Sequence, residues 1–101
     1  GDWSDYQHLL INLNNPSEKH LRISVKIYDW RHPPNYNYND RFNKSFNLKP
    51  GETVLKIDLN DIQKAPRKRQ MDLTNMHAVS LFVTRPKYKQ QLQIKRIELI
   101  D

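Results

Sequence analysis

Leu21-Arg22-Ile23-Ser24-Val25-Lys26-Ile27-Tyr28 sets aliphatic residues at every second position and polar ones between them. A two-residue period places all the aliphatics on one face of an extended strand, so this segment reads as a strand with one buried and one solvated side. Continued for two more residues, the alternation carries Trp30 onto the polar face beside Tyr28. A large aromatic therefore stands where solvent is expected.

The same reading extends outward in both directions. Upstream, Leu9, Ile11 and Leu13 alternate in His8–Leu13, and Asn14-Asn15-Pro16-Ser17 closes that strand as a turn. Downstream, Phe42, Phe46 and Leu48 mark a third strand and Leu55, Ile57 and Leu59 a fourth. Between them Lys49-Pro50-Gly51-Glu52 is a turn in which proline fixes one dihedral and glycine permits a positive φ. Asn60-Asp61-Ile62-Gln63 carries an N-cap candidate followed three residues later by Gln, and Pro66 limits the helix to about one turn.

Val79, Leu81 and Val83 mark a fifth strand, with Phe82 on the opposite parity, where it is expected to pack in a second layer. Arg85-Pro86-Lys87-Tyr88-Lys89 is a basic turn. Leu92, Ile94, Ile97 and Leu99 make the sixth strand, and the change of parity between Ile94 and Ile97 predicts a bulge. Six short strands with Pro, Gly and Asn turns and no long helical period predict an all-β fold, an antiparallel two-sheet sandwich (jelly roll) with one short helical connector. The main rival is an Ig-like barrel. The 101 residues are expected to form a single domain.

Composition narrows the chemistry. Net charge is +6 and the sequence pI about 9.7, which favours an anionic partner. With no cysteine there is no thiolate nucleophile, disulfide or zinc-thiolate site. His8, His20, His32 and His77 show no helical i, i+4 pair, and only Gly1 and Gly51 are glycines, so neither a HExxH-type metal site nor a phosphate-cradling loop is present. No apolar run approaches the ~20 residues needed to cross a bilayer, and the charged-then-apolar pattern of a signal peptide is absent. The leading Gly1 fits a module cut from a longer chain.

Asp40-Arg41-Phe42-Asn43, Leu48-Lys49-Pro50-Gly51, Asp61-Ile62, Ala65-Pro66, Met71-Asp72-Leu73 and Leu81-Phe82 occur in this order. In that order they resemble jelly-roll modules of the galactose-binding-like class, specifically bacterial non-catalytic carbohydrate-binding domains. The resemblance runs through nearly the whole chain. It implies an extracellular or cell-envelope module that binds a polysaccharide or oligosaccharide and keeps an attached catalytic or membrane domain of the parent protein near it, as a monomer. Several related modules use a structural calcium ion near an acid in the last strand. Here Lys95 and Arg96 stand at that place, and two cations disfavour a hard divalent ion, so no cofactor is expected.

Sugars offer C–H patches on their faces and hydroxyls at their edges, so a site needs flat rings together with bidentate polar groups. The segment 29–43 supplies both: Trp30, Tyr36 and Tyr38 as platforms, His32, Asp40, Arg41 and Asn43 as hydroxyl partners. The competing reading has Trp30 packing on the loop prolines and Asp40 pairing with Arg41 to hold the turn. Arg67 and Arg69 suit the carboxylates or sulfates of an anionic glycan, and Asp72 is either a further ligand or the partner of Arg41 in a structural salt bridge. The runner-up function is a basic surface for nucleic acid or an acidic protein, using Arg67 to Arg69 and Lys87 to Lys89. A glycoside hydrolase would need two carboxylates across a cleft, for which Asp40 and Asp72 are the candidates, but an adjacent Arg would hold such an acid as an anion.

Overall fold

In the computed structural model, which describes residues 1–31, 40–83 and 92–101, the alternating segments are strands of two antiparallel sheets. They are β1 (His8–Asn15), β2 (Leu21–Asp29), β3 (Phe42–Leu48), β4 (Gly51–Asp58), β5 (Met76–Val83) and β6 (Gln93–Ile100). One sheet has the order β4-β1-β6 and the other β3-β2-β5. The protein is thus an all-β sandwich in which the two most regular alternating strands take the central places.

That placement follows from burial. Leu9, Ile11 and Leu13 of β1 and Ile23, Val25 and Ile27 of β2 are all buried in one core, joined by Leu55 and Ile57 of β4 and by Phe42 and Leu48 of β3. Each such side chain contributes about 1.5–3 kcal/mol by leaving water. The edge strands β5 and β6 cover the core less completely, and Val79, Leu81, Val83 and Leu99 are only partly buried. Trp3 packs against the same core from the N-terminal segment, whereas Tyr6 is exposed.

Turns and irregularities fall where the chemistry asks for them. Gly51 has φ of +90°, a conformation that an L side chain rarely adopts, at the β3–β4 turn. The β1–β6 register slips so that Asn12 faces Arg96 while Leu13 faces Ile94, leaving Lys95 as the extra residue of the expected bulge. The helix α1 (Leu59–Lys64) begins at Leu59, which the alternation had assigned to the fourth strand. Its cap is Asp58 rather than Asn60: the Asp58 side chain accepts from the Asn60 backbone N–H at 2.8 Å. Satisfying a free helix-end donor outweighs one more step of alternation.

A second register slip matters more for function. Tyr28 faces Ala78 but Asp29 faces Met76, so His77 is an unpaired extra residue at the start of β5. Such a bulge re-aims a side chain. It frees His77 from opposing inward-pointing Asp29 and lets it lie beside Trp30.

Candidate functional site

The end of β2 is where sequence neighbours part. Asp29 lies at core parity and is fully buried, while Trp30 is 60% exposed. A buried carboxylate is costly unless paired and hydrogen-bonded, and Asp29 is both. Arg69 donates to it twice, from Nη1 to Oδ2 at 2.7 Å and from Nη2 to Oδ1 at 2.8 Å. The backbone N–H of Asp72 adds a third donor at 2.7 Å and that of Arg31 a fourth at 3.2 Å.

The same guanidinium grips Asp40, through Nε to Oδ1 at 2.8 Å and Nη2 to Oδ2 at 2.9 Å. Arg69 therefore clamps both stems of the connection between β2 and β3. Burial alone would push the Asp29 carboxyl up, but the Arg69 and backbone hydrogen bonds outweigh it and hold the group below the usual carboxylate range. Arg69 is shifted the other way, its charged form stabilised first by Asp29 and then by Asp40.

Asp72 completes the support. Its carboxylate caps the 3₁₀ turn Leu73–Asn75, accepting from the Thr74 N–H at 3.2 Å and hydroxyl at 2.6 Å. The Trp30 backbone N–H donates to the Asn75 carbonyl at 3.1 Å. Hence the backbone under Trp30 is tied to the same segment that the clamp anchors.

On this base stands an aromatic cluster. The Trp30 indole stacks on the His77 ring with centroids 3.7 Å apart and planes 17° off parallel, and Tyr28 meets His77 edge-on at 5.2 Å. One indole face is covered by imidazole and much of the ring is open to solvent. The cluster sits at one end of the outer face of β3-β2-β5. Toward the other end, Ser24, Arg41, Asn43, Lys44, Ser45 and Phe82 surround a shallow hollow of about 180 Å³. Phe82 does not pack in a second layer as its parity had suggested: it is 48% exposed, because nothing among the described residues covers this side of the sheet.

The expected site residues divide accordingly. Trp30, Arg41 and Asn43 lie on or beside this outer face. Asp40 and Arg69, both expected as ligand contacts, bind each other; the competing reading of Asp40 as an ion-pair partner names Arg41, whereas the pair seen is with Arg69. Asp72 serves as a cap, and Arg67 is exposed in the segment after α1. His32, Tyr36 and Tyr38, with the Lys87–Lys89 turn, lie outside the described residues. Sequence reasoning passed over His77, whose position depends on a bulge that no residue pattern announces. It also passed over Asp29, although a carboxylate at the fifth core-parity position of β2 signals a buried acid in need of a cation.

A larger hollow, about 570 Å³, lies among the N-terminal segment, α1 and the 3₁₀ turn, with Tyr6, His8, Asp58, Gln63 and Asp72 in its wall. Its two carboxylates already serve as caps. The exposed stacked rings of Trp30 and His77 and the polar hollow beside Phe82 lie instead along the outer face of β3-β2-β5. Among the described residues no group of three or more His, Cys, Asp or Glu side chains could hold a metal ion, and no helix is long and apolar enough to cross a membrane. Comparison with family models, with curated proteins and with solved structures finds no match to this chain.

Proposed function

We propose that this protein is a non-catalytic carbohydrate-binding module of the galactose-binding-like jelly-roll type, extracellular or in the cell envelope, keeping an attached domain close to glycan. The observation that carries this reading is Trp30: an indole 60% exposed yet fixed by stacking on His77 and by a backbone bond to Asn75. An exposed aromatic ring held still is a stacking platform, because little side-chain freedom remains to be lost when a sugar face covers it.

The open indole face takes the C–H patch of a pyranose ring, and polar side chains farther along the same sheet face, Asn43 and Ser24 among them, meet hydroxyls of the sugars that follow it. A shallow stacked site of this kind yields dissociation constants of roughly micromolar to millimolar. The engagement of Asp40 by Arg69 and of Asp72 by Thr74 favours binding over hydrolysis, since both carboxylates are already taken up by partners within the protein. Arg69 is also a poor phosphate contact while two carboxylates hold it, which weakens the nucleic-acid alternative.

Affinity electrophoresis through gels containing soluble polysaccharides, comparing the natural chain with Trp30→Ala, tests the proposal. Retardation by at least one polysaccharide, lost in Trp30→Ala with unchanged thermal unfolding, is expected. Retardation that survives the substitution would remove Trp30 from the site.

A further inference from the structure

The two sides of the sandwich are sealed unequally. Only Lys49 and Pro50 separate β3 from β4, so those edge strands, one from each sheet, lie together at one side, and β5 and β6 border the other. At the first side the core-facing residues are covered: Phe42, Leu48, Leu55 and Ile57 are no more than 8% exposed. The second side is open. Ile94 and Ile97 stand opposite Leu13 and Ile11 in the β1–β6 register and so point to the core side of the sheet, yet they are 51% and 43% exposed. Val79, Leu81 and Val83 of β5 are only partly buried.

An aliphatic seam beside a sheet edge suits a further strand, because among the described residues only β1 pairs with β6 and the other edge of β6 keeps its backbone groups for a partner. Lys95 and its bulge guard one end of that edge, but Arg96 to Ile100 run opposite Asn12 to His8 without a break. This straight segment is self-complementary. When two copies pair antiparallel with Ile97 opposite Ile97, Arg96 of each falls opposite Glu98 of the other on the outer side of the sheet, and the isoleucines meet on the core side. The next register that keeps the faces matched sets Glu98 against Glu98, which like charge disfavours. Within one chain Arg96 Nη2 and Glu98 Oε2 lie 2.8 Å apart with the Arg96 side chain 72% exposed, so both charges already stand on one side of the strand within reach of a neighbour.

We infer that β6 is the docking surface for a second copy of this chain, the two β6 strands pairing antiparallel about a two-fold axis at Ile97 so that two three-stranded sheets join into one continuous sheet. Ile94 and Ile97 then lose their exposure to the partner's β6. The inference is independent of the carbohydrate reading, and it stands against the monomer that the family resemblance implies. A contact made along one sheet edge is small, so the dimer is expected to form at about 100 μM chain and above.

Sedimentation velocity over about 5–500 μM chain reads the oligomeric state of the natural protein and of two charge reversals. Arg96→Glu and Glu98→Arg should each weaken self-association about 10-fold or more, since each sets like charges opposite one another twice across the axis. An equimolar mixture of the two variants should dimerise again, because opposite charges then meet at both places. The chain has no cysteine, so Ile97→Cys puts a single thiol on the axis, at a Cα separation that a disulfide spans. Under mild oxidation it should cross-link far faster than Val54→Cys, which sits at a 56% exposed position on the outer face of β4. A natural chain that stays monomeric over the whole range would overturn the inference. So would a dimer indifferent to the charge reversals, a mixture that fails to restore association, or an Ile97→Cys chain that cross-links no faster than Val54→Cys.

Discussion

Asp29 and Trp30 are adjacent in the chain and opposite in every physical respect. Asp29 is fully buried, ionised and supplied with four donors, whereas Trp30 is mostly exposed and has one partner ring. The first belongs to a clamp whose hydrogen bonds are satisfied within the protein; the second belongs to an aromatic cluster that leaves much of the indole facing solvent. The contrast teaches that charge and exposure must be read together. Arg69 and Asp40 have the residue types of a sugar-binding pair, yet their geometry makes them the foundation of the site.

The comparison breaks most visibly at Arg69. Arg69→Ala leaves a buried carboxylate unpaired and should cost about 3–5 kcal/mol, read as a lower urea midpoint. Arg69→Lys should restore only a small part, because an ammonium cannot fork onto two carboxylates. If Arg69→Ala unfolds at the natural midpoint, the clamp is not structural.

Acid provides a second test of the same region. The Asp29 carboxyl is held below its ordinary range, so its charge contributes stability above the unfolded value of about 3.9, and that contribution fades as pH falls through the lower folded value. Urea midpoints should therefore hold steady from neutral pH to about 5 and decline below about 4. Asp29→Asn should start less stable and show a shallower acid decline.

Substitutions on the open face should do the reverse. Trp30→Ala is expected to change stability by at most about 1 kcal/mol, the worth of one aromatic pair, while abolishing glycan retention. His77→Ala should have the smallest effect, a few-fold loss of affinity with near-natural stability, because it releases the indole without removing it. A destabilisation by Trp30→Ala as large as that of Arg69→Ala would erase the distinction between foundation and surface.

What the sequence discloses follows the same divide. The period-two runs of β1 and β2 specify both central strands, since a one-residue slip would expose Leu9, Ile11 and Leu13 of β1 and Leu21, Ile23, Val25 and Ile27 of β2. Gly51 and the parity change near Lys95 are equally readable, one from backbone sterics and the other from side-chain spacing. The exposure of Trp30 follows from alternation too. The clamp does not, because Arg69 lies 40 residues from Asp29 and 29 from Asp40, and pairing at such separations is decided by how the strands are arranged. His77 is hidden for a related reason: its neighbours fit a regular strand, and only register against β2 marks it as the bulged residue.

The account's central claim is that the open face of the Trp30 indole receives the ligand. The chain has two tryptophans, Trp3 and Trp30, so Trp3→Phe leaves Trp30 as the sole reporter indole. Titrating that variant with a soluble polysaccharide that retards the natural chain in affinity electrophoresis, while following tryptophan emission and acrylamide quenching, measures the contact directly. The account predicts a blue shift and shielding from the quencher that saturate together with calorimetric binding; binding with emission and quenching unchanged would contradict it.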